Sequence, residues 1–401
     1  MVGNIGPHAA SNRPLPQAVL TLVRIAIDAH SVGNQLAGNE SYAVNLIEAL
    51  AEIDRANQYT LYVTRQSAID RFTDRWPNFQ VKRTLPHTPL VRIPLTLSRE
   101  LRRHPVDLLH VQYTAPPLAP CPIVVTIHDL SFEHLPHTFK KRSWIQLRAT
   151  VRQTARRAAH IITISDHSKQ DIANTYCIEA DRITVTPLAA PPNMARVTDD
   201  ALLRTVPAKY GIVRDYILSL GSLQPRKNLV RLIEAYSILR SERREASYPQ
   251  LVIAGKRGWL DKETMRAARQ SSFAHDIVFT GYVADEDLGA IYSAAMCFVY
   301  PSYFEGFGLP VVEAMQCGVP VVAGNVTSLP EVVSGAGVLV NPFDVQALAN
   351  AIAKIVQNRD LRTELASRGM ARARAFTWKR TAELTLEVYK LALGNQASTR
   401  R

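Results

Sequence analysis

A chain of 401 residues is longer than a single hydrophobic core usually supports, and 47% apolar against 20% charged content belongs to a folded globular protein, not a disordered or fibrous one. No apolar run reaches the length of a membrane span, and Cys121, Cys177, Cys297 and Cys317 stand too far apart for a CxxC zinc or redox pair, so they are expected as reduced, mostly buried thiols. The formal net charge of +12 favours anionic partners: phosphorylated substrates, nucleic acid or an acidic membrane face.

Residues 1–20 lack the basic start and unbroken apolar core of a signal peptide; they are expected as a loose tail on a cytoplasmic protein. VRIAIDAH (Val23 to His30) predicts a strand entering a loop with Gly33 and Gly38, followed by the helical pattern SYAVNLIEALAEI. Short apolar runs at YTLYV, DLLHVQY, PIVVTIHD and HIITIS alternate with helical stretches, the pattern of a parallel sheet covered by helices. Lys140, Lys141, Arg142, Arg148, Arg152, Arg156 and Arg157 fall in one stretch that has no acid. At helical spacing Trp144, Leu147, Val151, Ala155 and Ala158 share a face, with Arg148, Arg152 and Arg156 as a stripe beside it. Either this is a solvated face over a core contact, or it is a patch for a membrane surface or an acceptor phosphate. LSRELRRHP adds Arg99, Arg102 and Arg103 to the same half.

Residues 21–195 thus form a first expected domain. A proline-rich segment follows, with a linker expected at 196–211, and the pattern then restarts over 212–377. Strands are predicted in YILSLG, QLVIAG, IVFTG, FVYPS and PVVAG, and helices in NLVRLIEAYSILRSE and DLGAIYSAAMC. Two doubly wound α/β domains in tandem place ligands beyond the carboxyl ends of their strands, which makes the cleft between the domains the expected site. The last helix, 378–394, carries Leu384, Val388 and Leu391 on one side and is expected to cross back over the first domain.

Three stretches carry chemistry. In YPSYFEGFGLPVVEAMQCGVP, Tyr300 ends a strand, Glu305 to Gly308 form a turn, Pro310 suits a first helical position and Gly318 a helix end. Gly306 and Gly308 let backbone amides approach a ligand, and the helix N-terminus offers unpaired N–H groups to a pyrophosphate. Carboxylates aimed at phosphate would be repelled, so Glu305 and Glu313 are expected on hydroxyls at opposite ends of a nucleotide sugar. In LGSLQPRKNLVRLIEAY, Arg226 and Lys227 follow a strand end and could neutralise a leaving diphosphate, a duty that metal ions perform in other transferases. In TIHDLSFEHLPH, His128 is an active-site candidate; a metal cage from His128, Asp129, Glu133, His134 and His137 has no recognised ligand spacing, and Pro136 opposes a regular helix there. Asp285-Glu286-Asp287 copies an acid-x-acid metal motif, but Asp285 reads as a helix N-cap.

With PRKN, FEGFGLPVVEAM and CGVPVVAGNVTSLPEVVSGAGVLVNPFD, the chain resembles the retaining glycosyltransferases of family 4, of GT-B architecture, over about residues 22–393. IDAHSV, TIHDLSFEHLP and RRAAHIITISDHSKQDI are similar to bacterial members that build surface polysaccharides. The resemblance implies that Arg226 and Lys227 hold the donor diphosphate, that Glu305 contacts the transferred sugar and that Glu313 holds the ribose. Gly306, Phe307, Gly308 and Leu309 would line sugar and phosphates through their backbone, with His128 near the reacting sugar. Gly38 matches a glycine loop facing the diphosphate, and Gly221 a glycine after the first strand of the second domain. Two positions depart from the family pattern: Glu40, where relatives often have a second glycine, and Ser222, where many have arginine.

The expected function is transfer of a hexose, mannose favoured, from a nucleoside-diphosphate sugar to a saccharide or lipid-linked saccharide in cell-surface polysaccharide synthesis, with anomeric configuration retained. GDP-mannose is the favoured donor substrate, ahead of UDP-hexoses, and no metal or other cofactor is expected. The basic first domain fits peripheral contact with an anionic inner membrane face; no nucleic-acid partner is expected. The alternatives are a GT-B nucleotide-sugar epimerase, which would react without an acceptor, and a non-catalytic basic nucleic-acid-binding protein, which would leave the two spaced glutamates without a role.

Overall fold

The computed structural model describes residues 22–399 apart from 35–37, 244, 246, 257, 259 and 260. The tail expected over residues 1–20 lies outside them. Hydrophobic runs that alternate with amphipathic helices build two all-parallel sheets. The first contains β1 (Arg24–Asp28), β2 (Gln58–Val63), β3 (Phe79–Arg83), β4 (Leu108–Gln112), β5 (Ile123–Thr126), β6 (His160–Thr163) and β7 (Ile183–Val185). Its order is β3-β2-β1-β4-β5-β6-β7. The second contains β8 (Tyr216–Leu220), β9 (Gln250–Ala254), β10 (Ile277–Gly281), β11 (Cys297–Tyr300), β12 (Val321–Gly324) and β13 (Val338–Val340), ordered β10-β9-β8-β11-β12-β13. In both, the chain starts in the middle and reverses direction beside its first strand, so β1–β4 and β8–β11 are the switch points where a ligand crevice opens. This is the two-domain GT-B arrangement.

The central strands are buried on both faces because helices cover each side. Ile27 of β1 stands between Leu61 of β2 and His110 of β4 in register. Phe298 of β11 stands between Leu218 of β8 and Val321 of β12. The sequence pattern misses β3, β7 and β13. All are short edge strands, and an edge strand needs no continuous apolar run to be held.

The Lys141–Arg157 helix puts Val151 and Ala155 into the core, with Trp144 and Leu147 packed at its margin, on the face its spacing predicts. Leu97 and Leu101, from the turns around Ser98–Arg103, join the same cluster. The two arginine-rich segments therefore cover one face of the first sheet. The helix Gly38–Ile53 belongs to the other main cluster, together with Val388 and Ala392 of the C-terminal helix Trp378–Thr399.

That last helix lies along the first domain: Trp378 Nε1 donates to Ala190 O at 3.0 Å, and Tyr389 OH meets His110 Nδ1 at 2.7 Å. Of the expected row Leu384, Val388 and Leu391, only Val388 is fully buried. Thr381, Ala382, Thr385, Val388, Tyr389 and Ala392 are buried, whereas Leu391 is 51% exposed; small residues and threonines allow closer approach than the leucine row would. Within the expected linker, Asp200–Lys209 is a helix, its first amides capped by Asp199 Oδ1 at 2.7 and 3.2 Å from Ala201 N and Leu202 N.

Candidate active site

The carboxyl end of β8 runs into a short helical turn, Pro225–Lys227, that ends at Asn228 in a left-handed conformation, φ 58°. Asn228 Nδ2 donates to Pro301 O at 3.0 Å and Pro342 O at 2.6 Å, which ties the turn to the loop after β11. Arg226 and Lys227 are thereby held against Glu305. Arg226 Nη1 lies 2.7 Å from Glu305 Oε2 and donates to Phe304 O at 3.0 Å; Lys227 Nζ lies 2.6 Å from Glu305 Oε1. Lys227 also bonds Tyr300 OH and sits 4.5 Å from that ring's centroid.

Burial opposes ionisation of Glu305, but Arg226 and then Lys227 overcome it and bring its pKa down to about 2. Burial and the neighbouring Arg226 lower Lys227 to about 8 against the pull of Glu305. Asp129 of the first domain adds negative potential that favours both cations. Two cations thus share one paired carboxylate, with Asp129 nearby, in a largely desolvated nest at a strand end, where a diphosphate that displaced Glu305 would meet both positive charges.

Gly308 occupies the left-handed region at φ 103° as the residue before the helix Leu309–Gln316, and a Cβ there would lie 2.7 Å from Leu329 Cδ2. Gly318 at φ 71° follows the helix end, as expected. Ser328 Oγ bridges the carbonyls of Glu305 and Phe307 at 2.9 and 3.0 Å and so shapes the turn that delivers Gly306 to Leu309. Glu313, in the middle of that helix, is buried and accepts from Tyr292 OH at 2.8 Å. Burial, partly offset by that hydrogen bond, pushes its carboxyl up to about 7.

The first domain contributes His128, beyond β5. Its Nε2 is 3.0 Å from Gln112 Oε1, and the Tyr42 ring meets it edge-on at 4.7 Å. Burial lowers its pKa to about 4, so the imidazole is neutral near pH 7. The domains touch here. A Cβ on Gly306 would fall 2.5 Å from His128 O and 2.9 Å from Asp129 Cβ, and Ser168 Oγ lies 3.1 Å from His128 O and 3.3 Å from Gly306 O. A second contact lies nearby: Glu331 of the second domain accepts from Asp166 N at 3.0 Å and His167 N at 3.3 Å, at the start of the helix Asp166–Tyr176.

The structure thus brings together Arg226, Lys227, Glu305, Gly306 and His128, with Glu313 one helix turn or more behind the Gly308 entrance. Gly221, at φ 150°, borders Lys227, whose Cε would be 3.5 Å from an added Cβ. Gly38 opens the helix Gly38–Ile53, and a Cβ there would meet nothing within 4 Å, as an approach surface requires. Glu40 Oε1 accepts from Gly33 N at 2.7 Å, so its side chain closes the β1 loop on itself. Asp285 is not the expected N-cap. The helix Leu288–Ser293 is preceded by Asp287, which pairs with Lys209 and Tyr210, and Asp285 instead accepts from Tyr282 OH at 3.1 Å. His134 pairs with Asp171 at 2.7 Å, and among the described residues no three His, Cys, Asp or Glu side chains are grouped to hold a metal.

Sequence reasoning missed Tyr292, Tyr300, Gln112 and Ser168 as parts of this site and weighed Asp129 only as a metal ligand. One signal was available: Gln112 and Asp129 follow or end strands at the carboxyl edge, where ligands bind. Tyr113, held at φ 61° with its ring 5.6 Å from that of His128, carries none in sequence.

A family model described as Glycosyltransferase Family 4 matches residues 37–192, and one described as Glycosyl transferases group 1 matches residues 207–372. O-antigen chain mannosyltransferase B of Escherichia coli is 39% identical over 269 residues, covering 67% of this chain and 70% of that protein. The chain belongs to glycosyltransferase family 4. A serotype-specific mannosyltransferase of Escherichia coli, WbdA, is 33% identical over 245 residues; the match covers 61% of this chain but only 30% of that longer protein. Among solved structures, sucrose-phosphate synthase from Thermosynechococcus elongatus superposes with a TM-score of 0.74 at 20% identity, covering 93% of this chain and all of that one. HepE of Anabaena, solved with UDP, gives 0.67 at 18% identity over 92% and 99% of the two chains. These two likenesses carry the GT-B fold. As a family 4 member the chain is a glycosyltransferase, working on a nucleotide-sugar donor and a saccharide acceptor.

Proposed function

We propose that this glycosyltransferase moves mannose from GDP-mannose to a saccharide or lipid-linked saccharide during surface-polysaccharide assembly, with retention and without a metal cofactor. The observation that carries the reading is the Arg226–Lys227–Glu305 nest at the end of β8, opposite His128 and beside the Gly308 helix entrance. The choice of mannose is supported by the 39% identity to an O-antigen mannosyltransferase.

In this reading the diphosphate enters the nest and draws Arg226 and Lys227 toward itself. Glu305 is freed to meet the sugar hydroxyls, and Glu313 takes the ribose hydroxyls. The bond from the anomeric carbon to the diphosphate oxygen breaks as the acceptor hydroxyl attacks from the same face, and the hydroxyl proton passes to the departing phosphate oxygen. Preorganised cations near that oxygen stabilise the developing charge without solvent reorganisation. Thermal shift with GDP-mannose, GDP, UDP-glucose and UDP, followed by product analysis with and without a mannose-terminated acceptor, tests this. Stabilisation by the guanine pair and acceptor-dependent release of GDP are expected; stabilisation only by uracil nucleotides refutes the donor, and turnover of donor alone refutes transfer.

Peripheral contact with an anionic bilayer is part of the proposal. Arg142, Arg152 and Arg156 are exposed on one helix, and Arg99, Arg102 and Arg103 on the Ser98–Arg103 helix, whose Leu101 joins the same core cluster. Leu90, Val91, Leu95, Leu118 and Ile145, also in the first domain, are exposed apolar side chains. Cations mixed with apolar groups are what an anionic headgroup region accepts. Among the described residues no helix is long and apolar enough to cross a membrane.

A further inference from the structure

His128 is joined to the first turn of the Gly38–Ile53 helix by a chain of three hydrogen bonds, and donor–acceptor counting along it has one solution. Ser31 Oγ donates to Asn39 O at 3.2 Å, which uses its single proton. Toward Gln112, 3.2 Å away, Ser31 Oγ is then an acceptor, so Gln112 must present its Nε2 amide protons there. The Gln112 carbonyl oxygen is left facing His128 Nε2 at 3.0 Å. A carbonyl oxygen only accepts, so His128 Nε2 carries the proton. Ser31, Gln112 and His128 are 1%, 8% and 6% exposed, which leaves water little part in the chain. The ring is neutral, so its other nitrogen, Nδ1, holds a lone pair.

We propose that Gln112 is a positioning residue that, oriented by Ser31, fixes His128 as the Nε2–H tautomer and leaves Nδ1 as a hydrogen-bond acceptor for a hydroxyl of the transferred sugar. This rests on the reading of His128 beside the reacting sugar. His128 then recognises a hydroxyl and does not deliver a proton to the leaving group. Because Asn39 adjoins Gly38, the same chain couples the glycine at the start of that helix to the His128 ring within the first domain.

The test uses the full chain labelled with [15N]histidine. Two-bond 1H–15N correlation spectra at pH 7 report the tautomer of His128, assigned by loss of its signals in His128→Gln. The wild type should show Nε2–H. Gln112→Leu should give a ring that populates Nδ1–H and a kcat lower by about tenfold, the worth of one well-placed hydrogen bond, with donor KM changed far less. Gln112→Glu, which sets a buried carboxylate against Nε2–H, should favour the doubly protonated ring and so also lower kcat, because Nδ1 then has no lone pair. Should Gln112→Leu fail to fold, Ser31→Ala carries the same test in milder form, since it only releases the amide. An Nδ1–H ring in the wild type, or an unchanged tautomer and kcat in both Gln112→Leu and Ser31→Ala, overturns the proposal. The tautomer is read without donor or turnover, so failure of the mannosyltransfer reading would leave this result standing.

Discussion

Lys227 Nζ lies 2.6 Å from Glu305 Oε1 in a nest where neither side chain is more than a tenth exposed, and the second oxygen of that carboxylate belongs to Arg226. The free site is held by one acid that two cations share. In the proposed reaction donor binding divides them, because the diphosphate competes for the cations as the sugar competes for the acid. Removal of Lys227 by Lys227→Met should therefore lower kcat by about 100-fold or more, the usual cost of one leaving-group or oxyanion contact. Lys227 loses its charge as pH rises through about 8, so kcat/KM should fall on that side. Glu305→Gln removes the group that holds Lys227 charged, so its alkaline limb should move to lower pH. Steady-state pH profiles of the two variants check this; a limb that stays in place in Glu305→Gln means that Lys227 is not the titrating group.

Glu313 gives a prediction of opposite sign. Its carboxyl is pushed up to about 7 by burial, so near neutral pH the donor-free protein holds a proton there part of the time. A ribose diol binds best to an ionised carboxylate, which can accept both hydroxyls. Nucleotide binding at pH 7 should release a fraction of a proton, visible as a buffer-dependent binding enthalpy in calorimetry, and Glu313→Gln should abolish it. A folded pKa above the unfolded value stabilises the protein below about pH 4.5, a contribution lost as pH rises through about 7. Thermal melts of the free protein between pH 5 and 8 should slope downward, less so in Glu313→Gln.

Both glutamates and both cations were legible in sequence because each stands within three residues of a local breaker, glycine or proline, that marks a strand end or a helix start. What was not legible depends on tertiary placement. Glu305 reads as a ligand for hydroxyls from its loop position, yet in the free protein it is the counter-ion of Arg226 and Lys227, brought in from a turn 78 residues away by Asn228. Tyr292 and Tyr300 look like core aromatics on a helix and a strand. Only their hydroxyl partners, Glu313 and Lys227, assign them to the site. The C-terminal helix shows the same limit: its leucines suggest one buried side, but the first domain accepts the smaller threonine and alanine face.

Where the domains meet, Gly306 leaves no room for a methyl group. A Cβ would sit 2.5 Å from His128 O, and backbone cannot swing aside as a flexible side chain can. Gly306→Ala should therefore separate the two loops, strain the Ser168 bridge and lower kcat/KM by at least tenfold, while donor binding to the second domain weakens less. Glu331→Ala should loosen the same contact from its other side by leaving the amides of Asp166 and His167 without their carboxylate. Small-angle scattering with bound GDP measures the separation. An unchanged scattering profile and unchanged kcat/KM in Gly306→Ala would mean that this contact plays no part in turnover.

The basic face of the first domain can be tested without turnover. Arg152 and Arg156 are exposed, and among the described residues neither has a carboxylate within ion-pair distance, whereas Arg148 is engaged by Glu133 at 3.1 Å and by the Trp144 ring. Free cations near an anionic surface contribute about 1 kcal/mol each. The triple exchange Arg142→Gln, Arg152→Gln, Arg156→Gln should thus reduce the protein's partition onto phosphatidylglycerol vesicles by about 100-fold and leave phosphatidylcholine vesicles indifferent. Arg148→Gln alone should change little, because its charge is already spent within the fold. Soluble-acceptor turnover should survive the triple exchange, since none of the three shares a hydrogen bond or ion pair with His128, Arg226, Lys227 or Glu305, while turnover of a vesicle-embedded acceptor should fall. Flotation that does not distinguish anionic from neutral vesicles, or that the triple exchange leaves unaltered, would assign these arginines to solvation of the helix alone.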